Sequence, residues 1–185
     1  MHYPSFYDIP DNNKDQVVVN TGKYQIDYSK KSAIQKVPTI LDIGCGYGGL
    51  MFALTKYFPD QLIFGQEIRD KLANFVALKA NTLRINSEYK DCLNVGVVRT
   101  NTMKTLHNYF AKNSVEKILI CFADPHFKRV NHRRRIINQQ LLTDYAYILK
   151  NDTGRIYQVT DVKDLYDWNN MHLDNHPLFE RIPED

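Results

Sequence analysis

The sequence predicts an α/β fold, a mainly parallel sheet with helices on both faces. Three observations carry that prediction. Short apolar runs at 40–43, 62–67, 95–98, 117–122 and 155–159 alternate with segments of helical spacing. Almost every run ends in a polar residue: Gly44 with Asp42 just before it, then Glu67, Asn101, Asp124 and Asp161. The first run breaks into Gly44-Cys45-Gly46-Tyr47-Gly48-Gly49, four glycines within six residues. Strand, glycine turn and helix open a nucleotide-binding α/β unit, because the turn needs positive φ and a side chain would block a ligand lying on the backbone.

In chain order, residues 1–36 are rich in Tyr, Asn, Asp and Lys with little periodicity, and are expected to form an N-terminal arm. Val37-Pro38 marks entry to the domain, 37–185. After the glycine turn, Leu50, Phe52, Ala53 and Leu54 resume helical spacing, and that helix is expected to run to about Phe58, before Pro59-Asp60. The strand at 62–67 ends in Glu67. From Arg69 to about Glu88 an amphipathic helix is expected to bury Leu72, Phe75, Val76, Lys79 and Leu83. A strand at 95–98, a helix at 103–110 and the apolar strand 117–122 follow, stopping at Asp124-Pro125. A basic stretch leads into a helix at about 136–149. The fifth strand, 155–159, ends in Thr160-Asp161, and a last helix from Val162 to about Leu173 buries Leu165, Tyr166 and Trp168. Leu178-Phe179-Glu180-Arg181-Ile182 is expected to begin a further strand, so the C-terminal end of the sheet reads as incomplete.

The 185 residues suit one domain, and 43% hydrophobic with 24% charged residues is a soluble composition. No apolar run approaches the ~20 residues of a membrane span, and the N-terminus lacks a signal-peptide pattern, so an intracellular protein with no membrane association is expected. Cys45, Cys92 and Cys121 have no metal-ligand spacing and read as reduced thiols; His2, His107, His172 and His176 make no metal pattern either, so no metal is expected. The net charge of +3 is too small to imply a polyanionic partner, but Lys128, Arg129, His132, Arg133, Arg134 and Arg135 crowd into eight positions.

Ligands of such sheets sit outside the carboxyl ends of the strands. Glu67, 23 positions after Gly44, is placed to accept bonds from both hydroxyls of a ribose. Nicotinamide cofactors and S-adenosylmethionine share that device. The loop and Asp42 inside the strand favour S-adenosylmethionine, whose amino acid part lies close to backbone and needs no pyrophosphate cradle. Arg69 is either a helix-start surface residue or a lid over the adenosine. Asn101 and Thr102 either cap the next helix or hold the adenine.

Asp42-Ile43-Gly44-Cys45-Gly46-Tyr47-Gly48-Gly49, Glu67-Ile68-Arg69, Asp124-Pro125-His126-Phe127-Lys128-Arg129, Thr160-Asp161-Val162 and His176-Pro177-Leu178-Phe179-Glu180-Arg181 together resemble the eukaryotic tRNA (guanine-N7-)-methyltransferases. The resemblance runs from about Pro38 to the end, and its Asp124–Arg129 stretch is the specific part. It implies a Rossmann-like class I S-adenosylmethionine-dependent methyltransferase. It also implies cofactor contacts from Gly44, Gly46, Glu67, Ile68, Arg69, Asn101, Thr102 and Cys121, with Asp124 as the catalytic acid. Lys128, Arg129, His132, Arg133, Arg134 and Asp161 then face tRNA, although Asp161 is equally suited to cap the last helix. A WD-repeat β-propeller partner subunit and a nuclear location, with the cytoplasm as a second site, are implied too. The chain departs from the family in having Ala123 where proline is usual. The family also continues beyond this C-terminus and carries a longer N-terminal arm, so 37–185 reads as a C-terminally trimmed core.

The implied reaction is methyl transfer to N7 of a guanosine in the tRNA variable loop, giving 7-methylguanosine. Two other readings stay open: a methyltransferase acting on a non-tRNA substrate, and a non-catalytic RNA-binding core. An oxidoreductase is disfavoured by the missing pyrophosphate cradle.

Overall fold

A computed structural model describes residues 37–88 and 90–182. The expected arm at 1–36 lies outside the described residues. Five strands, β1 (Pro38–Ile43), β2 (Leu62–Glu67), β3 (Val95–Arg99), β4 (Lys117–Cys121) and β5 (Arg155–Val159), form one sheet in the order β3-β2-β1-β4-β5. Every pairing is parallel. The order reverses between β1 and β4, which puts the ligand crevice of such a sheet above those two strands.

Alternation along the strands explains why both faces need cover. Ile40, Ile63, Val95 and Leu119 point to one face, beneath α1 (Gly49–Leu54) and α2 (Asp70–Asn86). Leu41, Ile43, Phe64, Ile118 and Ile120 point to the other. That face is covered by α3 (Thr102–Thr105) with the 3-10 turn after it, and by α4 (Gln139–Ile148). Finally α5 (Lys163–Asp174) joins the second face, where the Trp168 indole donates to the Ile137 carbonyl at 2.8 Å.

Several elements differ from expectation for local reasons. α1 stops at Leu54, because the Tyr57 and Phe58 amides both bond the Leu54 carbonyl and turn the chain before Pro59. In α2 the buried stripe is Ala73, Val76, Ala80 and Arg84, not the one led by Phe75 and Lys79. Small alanines let the helix lie close to the sheet, while Phe75 stays exposed edge-on to Tyr47 and the Lys79 ammonium covers the Phe52 ring at 4.7 Å. The expected 103–110 helix begins at Thr102, capped by Asn101, and tightens to a 3-10 turn at Leu106–Asn108. The basic stretch forms its own 3-10 turn, Arg129–Arg134, and Asn138 caps α4 by accepting from the Leu141 amide at 3.0 Å. Tyr166 is exposed, leaving Leu165 and Trp168 to face inward from α5. Residues 178–182 form no strand: the Phe179 amide bonds the His176 carbonyl at 3.1 Å and its ring packs on the core.

Candidate active site

The carboxyl end of β1 delivers the glycine loop. The Gly44 and Cys45 amides share the Gln66 carbonyl (2.7 and 3.2 Å), which hangs the loop on β2. Gly44, Gly46 and Gly48 all have positive φ (74°, 56° and 72°), the left-handed region that side chains disfavour. Their surroundings differ. A Cβ on Gly44 would meet no atom within 4 Å, whereas one on Gly48 would lie 3.0 Å from both Val76 methyls and 3.1 Å from Phe52. Gly48 is required for packing, while the floor at Gly44 faces open space that a ligand would use.

Glu67 closes the far side of this floor. Its carboxylate is only 2% exposed and accepts from the Gly46 amide (3.0 Å), the Arg69 amide (2.8 Å) and the Arg69 guanidinium (3.1 Å). Burial pushes the carboxyl up, but the Arg69 and Gly46 donors outweigh it and hold Glu67 below its usual range, so it is ionised. Asp42, on the same face of the neighbouring strand, goes the other way: burial, helped by the Glu67 charge, pushes it up to about 7. Burial and the same two acids also raise the Cys45 thiol, and burial with Asp42 raises Cys121, so both stay protonated. Arg69 is the residue before α2, with an exposed guanidinium lying on Glu67. Ile68 is exposed beside it.

Asn101 caps α3, its side-chain oxygen accepting from the Met103 amide at 3.1 Å. Thr102 turns inward and donates its hydroxyl to the buried Gln66 side chain at 2.7 Å. Gln66 therefore touches the glycine loop through its backbone carbonyl and the start of α3 through its side-chain oxygen. It was not among the expected site residues, although a polar residue at a buried position of an apolar strand is a signal the sequence carries.

Across the switch point, β4 ends in a strained turn. Phe122 takes φ 54° and remains 65% exposed, its amide tied to the Val159 carbonyl at 2.8 Å. The Asp124 side chain is 73% exposed and accepts from the His126 amide at 2.9 Å, with His126 itself at φ 48°. The Asp-Pro turn and the outward carboxylate thus coexist. Lys128, Arg129, Arg133 and Arg134, in the segment that follows it, are exposed.

Two members of the basic cluster turn inward. His132 packs its ring on Trp168 with centroids 5.4 Å apart. Arg135 is fully buried: its Nε donates to the Pro125 carbonyl at 2.9 Å, one terminal nitrogen pairs with Asp164, and the guanidinium sits 4.8 Å over the Trp168 ring. Asp161 is exposed and does not cap α5; Thr160 accepts from the Val162 amide instead, at 3.2 Å. A cavity of about 470 Å³ at the amino ends of the strands, around Gln61, Glu116 and Lys150, lies on the side of the sheet opposite these groups. Its acid is already paired with Lys150 and Gln61. The glycine floor, the buried acids Asp42 and Glu67 and the positive-φ residues Phe122 and His126 come together at the carboxyl ends, and this conjunction marks the site.

Residues 36–185 match a family described as "Putative methyltransferase". The chain belongs to this methyltransferase family. Its fold is the Rossmann-like class I S-adenosylmethionine-dependent methyltransferase fold. A precorrin-6y C5,15-methyltransferase from Geobacter metallireducens GS-15 matches 76% of this chain and 62% of its own at TM-score 0.58 and 15% identity. Geranyl diphosphate C-methyltransferase from Streptomyces coelicolor A3(2), solved with S-adenosyl-L-homocysteine, matches 68% of this chain and 38% of its own at TM-score 0.50 and 22% identity.

Among curated relatives, a tRNA (guanine-N(7)-)-methyltransferase of Kluyveromyces lactis is 48% identical over 85% of this chain and 56% of its own length. One of Caenorhabditis elegans is 46% identical over 88% of this chain and 62% of its own. The methyltransferase chain thus spans about half the length of the curated relatives it matches.

Proposed function

We propose that this chain carries the core of a tRNA (guanine-N7-)-methyltransferase, which moves the methyl group of S-adenosylmethionine to N7 of a guanosine. The observation that carries the reading is Asp124. It is an outward carboxylate on a strained turn at the switch point, close enough to the Glu67-bound Arg69 to act on its charge, and the exposed Lys128, Arg129, Arg133 and Arg134 follow it in the chain. The 46–48% identity to relatives bearing that activity supports it.

The residues at the floor fit the cofactor. Gly44 leaves open space above its backbone, and the ionised Glu67, covered by the Arg69 guanidinium, is an acceptor suited to a ribose diol that displaces that guanidinium. Asp42, Cys45 and Cys121 lie below, Arg69 and Ile68 at the rim, and Asn101 and Thr102 offer the start of α3 to the adenine. When bound, the cofactor supplies a methyl group on a sulfonium centre.

Guanine N7 already presents a lone pair, so no residue need take a proton from it. The chain's contribution is positioning and charge. Asp124 accepts hydrogen bonds from the guanine edge and offsets the positive charge that grows on the ring. The exposed cations hold the phosphate backbone, and Asp161 sits on the same substrate side. A base in structured RNA must leave its stack to reach such a turn. The resemblance to the eukaryotic family brings a WD-repeat β-propeller partner and a nuclear location into the same proposal.

The test is methyl transfer to bulk tRNA by the full-length protein, with and without a propeller partner, followed by identification of the modified nucleoside. The expected product is 7-methylguanosine, and Asp124→Asn should keep cofactor binding while losing most turnover. Methylation of protein or small molecules alone, or tight RNA binding without transfer, would replace this reading with one of its alternatives.

A further inference from the structure

Arg135 is a buried guanidinium whose side-chain hydrogen bonds run to the segment after β4 and to the first turn of α5. Through Nε it holds the Pro125 carbonyl, the residue directly after Asp124. Through Nη2 it pairs with Asp164 in the first turn of α5, three residues after Asp161. Its flat face lies on Trp168, and Trp168 is itself fixed to the Ile137 carbonyl.

Where the turn leaves β4 the Phe122 amide bonds the Val159 carbonyl, but beyond Phe122 its other bonds are local, from the His126 amide to Asp124 and from the Asn131 amide to the Lys128 carbonyl. Proline brings no amide of its own to the turn. Taking a guanidinium out of water costs several kcal/mol, and a well-packed apolar residue of the same volume fills such a place at less cost. The third nitrogen, Nη1, is buried with no partner among the described residues, so there that cost is only partly offset. Planar, divergent donors are what an apolar side chain lacks.

We infer that Arg135 is a positioning residue, a brace that fixes the Asp124 turn against the start of α5, downstream of the paired ends of β4 and β5. The inference rests on the proposed role of Asp124.

The experiment uses the full-length protein with tRNA and compares Arg135→Met, Arg135→Lys and Asp164→Ala, each alone and combined with Asp124→Asn. Asp164 is exposed on its helix, so its variant keeps the test open if Arg135→Met does not fold. The single variants should lower kcat about tenfold or more while leaving S-adenosylhomocysteine affinity within about twofold, as misplacement of one catalytic group does. In the Asp124→Asn background the same changes should lower the residual rate by less than about threefold, because groups acting as one unit are non-additive.

Independently of turnover, amide exchange at His126 and Asn131 should speed up in the Arg135 and Asp164 variants while β4 stays protected. Unchanged exchange at the turn overturns the brace whatever the chemistry proves to be. So do variants that lose stability but keep kcat, and so do full multiplicative effects with Asp124→Asn. Wild-type turnover in Asp124→Asn, with exchange still raised by Arg135→Met, overturns instead the catalytic reading of Asp124.

Discussion

Alanine at Gly44 and alanine at Gly48 should separate ligand contact from packing within one loop. Both positions have nearly the same backbone, φ 74° and 72°, so both variants suffer the same left-handed strain, about 1–2 kcal/mol. At Gly44 that is the whole structural cost, since the new methyl meets nothing within 4 Å. At Gly48 the methyl is forced to 3.0 Å from two Val76 methyls and 3.1 Å from Phe52, and Val76 is a fully buried anchor of α2. Overpacking of that kind adds about 1–3 kcal/mol.

For a domain of this size each kcal/mol moves Tm by roughly 2–4 °C, so Gly44→Ala should lower Tm by about 2–8 °C and Gly48→Ala by about 4–20 °C. Ligand binding should invert the order. Calorimetric titration with S-adenosylhomocysteine well below both Tm values should show at least a tenfold loss, about 1.4 kcal/mol, for Gly44→Ala and little change for folded Gly48→Ala. Wild-type affinity in Gly44→Ala, or equal losses in the two variants, would refute the assignment of the open floor to a ligand.

Asp42 should leave a signature in pH. Its folded value of about 7 lies above its ordinary 3.8, so between about pH 4 and pH 7 the unfolded chain has lost a proton that the folded chain keeps, and stability falls as pH rises. Asp42→Asn abolishes that slope, so the difference in Tm between variant and wild type should widen in the variant's favour from about pH 5 to pH 7.5, and a constant difference would count against the buried proton. At Phe122, glycine relieves the left-handed strain and loses little burial, so Phe122→Gly should stabilise by up to about 1 kcal/mol in urea melts; a clear destabilisation would mean that the exposed ring is held by packing. Reversing both exposed arginines, Arg133→Glu with Arg134→Glu, should weaken tRNA binding and flatten the slope of log K against log salt by about two. Binding that is unchanged at all salt concentrations would return them to an ordinary solvated surface.

The sheet was legible in the chain because a strand buried on both faces must be almost wholly apolar, and its carboxyl end is where the apolar run breaks. That rule located Gly44, Glu67, Asn101, Asp124 and Asp161 without any coordinates, and the glycine spacing with Glu67 pointed to the ligand class. Helical periodicity was weaker guidance. Phe75 and Lys79 fit the spacing of α2, yet its contact face is built on Ala73, Val76 and Ala80, since close approach to the sheet favours small residues over large ones.

What the linear sequence by itself left undecided was the direction in which each polar side chain faces. Arg133, Arg134 and Arg135 are three identical residues in a row, and a run of charge carries no information about which member turns inward. Only the 3-10 turn and the placement of Pro125, Asp164 and Trp168 around it decide that Arg135 is buried while its neighbours meet solvent. The opposite shifts of Asp42 and Glu67 are likewise tertiary. Two carboxylates on adjacent strands differ because Arg69 and the Gly46 amide reach one of them, while burial beside the other's charge keeps a proton on Asp42.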